Sequence, residues 1–320
     1  MPGLVGPDLA THPSAPSSPI PLRAPPKSAK RSLVEAPAHS RKTNDLLEDD
    51  RGLLTPLERL QIRFIRESFR HGPIDRTLRA CQRTLGQAWI NSALSHLRQV
   101  QGASRLPSFD PSASYILVSN HRSFFDLYAI TSYLVRGGLP HRLLFPVRSN
   151  FFYDHPFGPL VNGAMSFFAM YPPVFRDKKK AALNLAGLDE VVRLVEQGGT
   201  FVGLHPEGTR GRGDDPYELL PAQPGVGRII HRSRVTVIPV FVNGLLNDIV
   251  KQVWTNFRRT GDEVNVVFGA PLDFSDLYAK NGSPRVYREV AERTTAAIAA
   301  LGAEEKALRE GKNSPAAPFC

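Results

Sequence analysis

The alternation of short apolar runs with segments of helical periodicity is the feature that most constrains the fold of this chain. The runs that predict β-strands cover residues 115–119, 142–147, 200–204, 235–242 and 265–268. The segments that predict helices cover residues 123–135, 156–168, 188–197, 226–231 and 285–301. Strands that alternate with helices form a sheet that is covered on both faces. The central part of the chain is therefore predicted to have an α/β fold.

The bulk composition narrows the class of protein. The chain has 320 residues, a formal net charge of +10 and two cysteines, Cys81 and Cys320, so no disulfide framework is expected and a reducing compartment is favoured. The positive charge suits a nucleic acid, an anionic membrane or a phosphorylated substrate, but no nucleic-acid-binding motif is found and no nucleic-acid partner is expected. No apolar run is long enough to span a bilayer, and no secretory signal is found. We expect a cytoplasmic protein that at most lies on a membrane.

The two ends of the chain differ from its centre. Residues 1–50 are rich in Pro, Ser and Ala and are predicted to be a disordered tail, and residues 304–320 a flexible C-terminal tail. Residues 55–100 are predicted to form an amphipathic basic helical pair that breaks at Gly72-Pro73. Its first helix places Arg59, Arg63, Arg66 and Arg70 on one face, and its second carries an apolar stripe of Ile74, Leu78, Cys81, Leu85 and Trp89. Two interpretations remain open: surface helices packed on the domain, or an anchor in the interfacial layer of an anionic membrane.

A histidine and an aspartate follow the strand at residues 115–119. His121 leaves the strand end, and Asp126 comes five residues later, across a turn. Such a carboxylate can fix the tautomer of an imidazole, which then takes a proton from an attacking hydroxyl without a serine nucleophile. Asp126 also ends a segment that has the form of a capping box, so its carboxylate could instead bind helix N-terminal amides. Both roles can hold at once.

A second polar cluster follows the strand at residues 200–204. Gly208, after Glu207, permits a tight turn with exposed amides, and Arg210 can grip a phosphate. A solvated basic turn is the alternative. Arg148 and Arg176 also follow predicted extended segments, where either could be an ordinary surface arginine. The two clusters together indicate an acyl-transfer enzyme.

Three blocks resemble the motifs of the glycerophospholipid acyltransferase family, which includes the lysophosphatidic acid acyltransferases. They are Asn120-His121 with Asp126, the run 207–210 and the run 237–240, in the family's order and spacing across roughly residues 90–270. The resemblance implies a mixed, largely parallel sheet flanked by helices, with the acyltransferase domain at residues 101–303. It implies acyl-CoA or acyl carrier protein as donor and a lysophospholipid as acceptor, with 1-acyl-sn-glycerol-3-phosphate converted to phosphatidic acid as the leading reaction. No metal or cofactor is implied.

The resemblance also assigns roles to residues. His121 would be the base and Asp126 its partner; substrate-binding roles would fall to Asn120, Arg148, Arg176, Glu207, Gly208, Thr209 and Arg210. The helical pair would hold the enzyme peripherally on the inner face of the membrane, at an anionic surface. The chain departs from the family at His205-Pro206, where many members have Phe-Pro, at Gly211, where Ser is usual, and at 171–173, where a glycine-led run is usual.

Three other hypotheses stay open. The acceptor could be glycerol-3-phosphate, a lyso-ornithine lipid or another hydroxylated lipid. A metal-dependent hydrolase could use His121, Asp126, His155 and His205, although their spacing fits no standard ligand set. A non-enzymatic module that binds membrane surfaces or nucleic acid would also account for the arginine-rich helices.

Overall fold

A seven-stranded sheet forms the centre of the computed structural model, which describes residues 45–48 and 52–313. The strands are β1 (Arg98–Gln101), β2 (Tyr115–Ser119), β3 (Arg142–Arg148), β4 (Met170–Val174), β5 (Thr200–Leu204), β6 (Thr236–Asn243) and β7 (Val264–Phe268). Their order is β1-β7-β6-β2-β5-β3-β4. All neighbours are parallel except β6 and β7, which are antiparallel. The prediction of a mixed, largely parallel α/β sheet is confirmed.

Helices cover the sheet in two groups. They are α1 (Pro56–Ser68), α2 (Pro73–Arg83), α3 (Leu85–Leu94), α4 (Asp126–Arg136), α5 (Ser149–Phe152), α6 (Gly158–Ser166), α7 (Leu183–Glu196), α8 (Pro224–Ser233), α9 (Ile249–Arg258), α10 (Ser275–Tyr278) and α11 (Pro284–Asn313). Helices α3, α4 and α9 pack together, and α7, α8 and α11 form the other group. Every residue of β2, β5 and β7 is buried, which is why these strands are continuous apolar runs.

The N-terminal segment has three helices rather than the predicted pair. The break at Gly72-Pro73 is present, because α2 begins at Pro73, but a second break at Thr84 separates α2 from α3. Residues 98–100, which were assigned to the pair, belong instead to the edge strand β1 beside β7. The boundary was missed because a four-residue strand carries little periodic signal of its own.

The arginines predicted to share one face of the first helix differ in their surroundings. Arg70 is exposed, whereas Arg66 is mostly buried and bonds to Asp45 and to Glu190 of α7. Leu46 is fully buried. Residues 45–48 therefore pack on the domain and do not belong to the predicted disordered tail. Residues 1–44, 49 and 50 of the predicted tail lie outside the described residues.

The C-terminal tail predicted from residue 304 is helical as far as Asn313. Glu305 is fully buried, and it accepts hydrogen bonds from Asn265 (2.7 Å) and Tyr217 (2.7 Å). These bonds hold the last turns of α11 on the sheet, where composition alone suggested a solvated tail. Residues 314–320 lie outside the described residues.

The extended segment predicted before Arg176 is strand β4, whereas helices α5, α9 and α10 were not predicted. Strand β4 contains Pro172 and Pro173, which cannot donate ladder hydrogen bonds, and it lies at the edge of the sheet where proline is tolerated. Across the described ranges, no helix is both long and apolar enough to cross a membrane.

Candidate active site

Polar side chains gather at one edge of the sheet. Strands β2, β3, β4, β5 and β6 all run parallel to one another, so their carboxyl ends lie side by side. His121 follows β2 and His205 follows β5, while Arg148 ends β3. Ligands of open α/β sheets bind outside the carboxyl ends of the strands. The two sequence clusters, which are separated by about eighty residues of chain, are thereby brought to one place.

His121 and Asp126 form a hydrogen-bonded pair. The imidazole Nδ1 of His121 lies 3.1 Å from Oδ2 of Asp126 and donates to it. The same Oδ2 accepts from the backbone amides of Arg122 and Ser123, each at 2.8 Å. The carboxylate therefore orients the imidazole and binds backbone amides at once, although those amides belong to the turn before α4 and not to the helix. This tautomer leaves Nε2 of His121 free to accept a proton.

The protonation states of this pair follow from burial and from nearby cations. Burial, together with the positive charges of Arg210 and Arg148, lowers the pKa of His121 to about 3. Burial raises the pKa of Asp126 to about 6, against the effect of its backbone hydrogen bonds. At neutral pH the imidazole is therefore neutral and the carboxyl group is ionised. This is the state that a general base requires.

Glu207, in the second cluster, is hydrogen-bonded to the backbone of the first. Its Oε1 accepts from the backbone amide of His121 (2.7 Å), and its Oε2 accepts from the amide of Leu220 (2.9 Å). The amide of Gly211 in turn donates to the carbonyl of His121 (2.8 Å). Both oxygens of the buried Glu207 are thus used inside the protein. These bonds give Glu207 a role in positioning the backbone of His121, and its contact with substrate stays a prediction.

Asn120 also has a structural role, and its predicted contact with substrate stays a prediction. Its side chain is 1% exposed. Its Nδ2 donates to the carbonyl of Val242 (2.8 Å), and its Oδ1 accepts from the amide of the same residue (2.8 Å). This pair of bonds replaces a step of the β-ladder where β2 ends beside β6, and it fixes the point at which His121 leaves the sheet.

Arginines surround the free side of the loop at residues 207–213. Arg148 donates to the Thr209 hydroxyl, and Arg176 donates to the carbonyl of Gly208 (2.8 Å). Arg210 donates to Oδ1 of Asn247 (3.1 Å). Gly208 has φ +65°, a conformation that glycine adopts without strain. Of the predicted substrate-binding residues, these three arginines, Gly208 and Thr209 lie together.

The arginine cluster lacks acidic neighbours. Burial and the charges of Arg176, Arg210 and Arg212 lower the pKa of Arg148, which shows that the four guanidinium groups repel one another. None of the ion pairs found in the described ranges involves these four residues. Guanidinium groups that form no ion pair are chemically suited to a phosphate, which can accept several bidentate hydrogen bonds.

His205 is the site residue that the sequence reasoning underused. Its ring stacks on that of His121, with the centroids 3.8 Å apart and the planes 8° from parallel. Its Nδ1 lies 3.1 Å from the carbonyl oxygen of Ser119 and donates to it, and burial lowers its pKa to about 3. The departure from Phe at this position was the available signal. The ring keeps the flat shape of Phe and adds a hydrogen bond to the end of β2.

The same geometry bears on the metal hypothesis. Ligand atoms of His121, Asp126 and His205 lie within 4.8 Å of one another. An imidazole binds a metal through a lone pair in the plane of its ring, and two stacked, nearly parallel rings do not direct such lone pairs at one point. His155, the fourth residue of that hypothesis, does not belong to the group. The arrangement suits a neutral base better than a metal centre.

The chain is similar in part to known acyltransferases. Residues 97–243 match the family model described as acyltransferase. The chain is 27% identical over 172 residues to the chloroplastic 1-acyl-sn-glycerol-3-phosphate acyltransferase BAT2 of Brassica napus. That match covers 53% of this chain and 44% of the relative, so the chain matches less than half of the length of that protein.

A solved structure is also similar. It is the 1-acyl-sn-glycerophosphate acyltransferase PlsC from Thermotoga maritima, with a TM-score of 0.46 and 18% sequence identity. The similarity covers 80% of this chain and 90% of that one.

Proposed function

We propose that this chain transfers a fatty acyl group from a thioester to the hydroxyl of a lysophospholipid, because its residues 97–243 match the acyltransferase family model and part of it is 27% identical to a 1-acyl-sn-glycerol-3-phosphate acyltransferase. The proposed acceptor is 1-acyl-sn-glycerol-3-phosphate, which would give phosphatidic acid in phospholipid biosynthesis. The observation that carries the proposal is the direct bond between the two halves of the site, from the amide of Gly211 to the carbonyl of His121. This bond supports the proposal because it holds the proposed base, His121, beside the loop that we propose to bind the phosphate.

The proposed reaction has two steps at one carbonyl. Nε2 of His121 takes the proton of the acceptor hydroxyl while that oxygen attacks the thioester carbon, and Asp126 stabilises the imidazolium that forms. The tetrahedral intermediate then collapses with cleavage of the carbon–sulfur bond. The imidazolium returns its proton to the leaving thiolate, so the products are an ester and a thiol. Neither step requires a metal ion or a cofactor.

Phosphate binding would also adjust the base. In the free site, Arg210 and Arg148 contribute to the low pKa of His121. A bound phosphate would neutralise much of this positive charge, so the pKa of His121 would rise toward its ordinary range. A stronger base accepts the hydroxyl proton more readily. The acceptor would therefore activate the group that deprotonates it, and His121 would be a weaker base in the empty site.

The donor and the location complete the proposal. Acyl-CoA and acyl carrier protein are both thioesters that the mechanism accepts. We place the enzyme peripherally on the inner face of an anionic membrane, because the N-terminal helices expose Leu60 (64%), Phe64 (45%), Ile74 (53%) and Leu85 (62%). A lipid acceptor would be available at that surface.

A radiolabelled acyl-CoA assay with 1-acyl-sn-glycerol-3-phosphate tests the proposal. His121→Ala should reduce transfer by roughly 10²–10⁴-fold, because a positioned base contributes a factor of that size. Arg285→Ala, at an exposed arginine of α11, is the matched control for a lost surface charge and should leave transfer unchanged. Near-normal turnover by folded His121→Ala protein would reject the mechanism.

The same assay separates the acceptors. Glycerol-3-phosphate and a lyso-ornithine lipid would be supplied in place of the lysophospholipid, with the donor held constant. A preference for either would keep the chemistry and change the substrate. Absence of transfer to every acceptor, combined with salt-dependent DNA binding, would favour a nucleic-acid-binding module instead.

A further inference from the structure

Helix α9 turns its apolar side chains outward. Val250, Trp254 and Phe257 are 75%, 54% and 75% exposed. Their spacing of four and three residues places them in one line along the helix, here called the α9 stripe. A helix on the surface of a globular protein normally buries its apolar stripe against the core. The α9 stripe does the reverse, and this calls for a physical reason.

Two buried polar side chains of α9, beside the partly buried Ile249 and Val253, fix the inward face of the helix by hydrogen bonds. Asn256 is 2% exposed; its Nδ2 donates to the carbonyl of Ser92 (2.8 Å), and its Oδ1 accepts from the amide of His96 (2.9 Å). Gln252, also 2% exposed, donates to the carbonyl of Ala93 (3.2 Å). Rotation of α9 to bury the stripe would break these bonds and leave buried polar groups unsatisfied. The outward direction of the stripe is thus built into the packing of α9 on α3.

Basic residues border the stripe. Lys251, Arg258 and Arg259 are exposed, and the guanidinium of Arg258 lies 4.3 Å from the centroid of the Trp254 ring. Tryptophan and phenylalanine on one face with lysine and arginine beside them are typical of helices that lie in the interfacial layer of an anionic membrane. Because these residues are positively charged, they favour an anionic lipid surface over a protein surface that has few acidic residues.

The stripe adjoins the active site. The loop that leads into α9 contacts the site twice: Asn247 accepts from Arg210, and the carbonyl of Leu246 accepts from the hydroxyl of Ser123 (3.2 Å). Asp248 then caps the first turn of α9 by accepting from the amides of Val250 and Lys251. A membrane bound to the stripe would therefore lie next to the phosphate-binding arginines.

We propose that the α9 stripe inserts into the surface of an anionic lipid bilayer and holds the active site against it. This surface is distinct from the N-terminal helices. The proposal rests on the proposed function in one respect: a lipid acceptor gives the protein a use for a lipid surface. Binding to vesicles is measured without turnover, so failure of the one proposal can be told from failure of the other.

Vesicle flotation of the purified full chain is the first test. Wild-type protein should float with vesicles of phosphatidylcholine and phosphatidylglycerol, and Trp254→Glu/Phe257→Glu should reduce the partition coefficient by about tenfold or more. Lys251→Gln/Arg258→Gln should reduce it by about fivefold for each charge, on the anionic vesicles only. Leu185→Glu, at an apolar residue of α7 that is 44% exposed, is the matched control and should float as wild type does.

Tryptophan fluorescence is the second test. The chain has two tryptophans, so the Trp89→Phe variant leaves Trp254 as its sole indole probe. Addition of anionic vesicles should shift its emission to the blue, and brominated lipid should quench it. An unchanged spectrum from protein that floats would overturn the proposal.

Two further outcomes would also overturn the proposal. The first is wild-type flotation of the folded Trp254→Glu/Phe257→Glu protein together with loss of flotation in Leu60→Glu/Phe64→Glu, which would assign binding to the N-terminal helices. The second is a wild-type dimer in solution that this α9 variant converts to a monomer, which would make the stripe an interface between two copies of the chain. Circular dichroism and the melting temperature establish that each variant is folded.

Discussion

Replacement of Asp126 by asparagine separates the charge of this residue from its shape. All three hydrogen bonds that Asp126 accepts go to Oδ2, from Arg122, Ser123 and His121. In Asp126→Asn, the amide oxygen must take the place of Oδ2, because an NH₂ group there would face two backbone N–H donors. His121 therefore keeps its tautomer, with the proton on Nδ1. Only the negative charge opposite the imidazolium is lost.

The magnitude follows from this geometry. A hydrogen bond to a charged group contributes about 1.5–3 kcal/mol and a neutral one about 0.5–1.5 kcal/mol. The difference of about 1–2 kcal/mol corresponds to roughly a 5- to 30-fold loss of kcat. The new NH₂ would occupy the position of Oδ1, which is buried without a hydrogen-bond partner, so the free energy of unfolding should also fall by about 1–3 kcal/mol.

Steady-state kinetics with a thioester donor, beside urea unfolding of the same preparations, measures both effects. His121→Ala is the reference, with an expected loss of roughly 10²–10⁴-fold. Asp126→Asn should retain clearly more activity than this variant. Equal losses in the two variants, with Asp126→Asn still folded, would refute the argument that the backbone amides fix the orientation of the side chain at residue 126.

Three other predictions concern acid stability, phosphate binding and the C-terminal helix. The pKa of His121 and of His205 is about 3 in the folded protein against an ordinary 6.5, so the unfolded chain binds protons first and the free energy of unfolding should decrease as the pH falls from 6.5 toward 3. His205→Phe keeps the stacked shape and should weaken that dependence in denaturation curves taken across this range; an unchanged slope would contradict the assignment. Arg210→Gln should raise the KM for a phosphate-bearing acceptor by roughly 10- to 100-fold. It should also raise the pKa of His121 in an NMR titration, whereas an unchanged pKa would show that burial and Arg148 set it without Arg210. Glu305→Ala should lower the free energy of unfolding by about 2–4 kcal/mol in urea denaturation, because it leaves Asn265 and Tyr217 without their buried acceptor. Glu304 forms an exposed pair with Arg105, so the control Glu304→Ala should lower the free energy of unfolding by less than about 1 kcal/mol.

The sequence was sufficient for the fold class and for the chemistry of the site. Strands β2 and β5 were predicted at their observed bounds, because strands buried on both faces are continuous apolar runs. His121 and Asp126 were found because the pair is local, with Asp126 five residues after His121. The arginine of the second cluster could be placed beside them because parallel strands end at the same edge of the sheet.

Tertiary contacts decided what each polar side chain does. Glu207 and Asn120 have the residue types of substrate ligands, yet the side chains of both form hydrogen bonds with backbone amides and carbonyls that are distant in sequence. Stacking of His205 on His121 brings together rings that are 84 residues apart in the chain. Only the folded backbone determines which donors lie within reach of such side chains.

Helix α9 and the end of α11 show the same difference between what the sequence predicts and what the tertiary structure decides. A periodic pattern identifies two faces of a helix, but it does not say which face meets the protein. In α9 the hydrogen bonds of Gln252 and Asn256 to α3 turn the apolar face outward, and in α11 the acceptor Glu305 is drawn inward by Asn265. Residue type and spacing are local properties of the chain, so the sequence determined the elements and the reacting groups. Burial and hydrogen-bond partners depend on the whole three-dimensional arrangement, and only the tertiary structure could decide them.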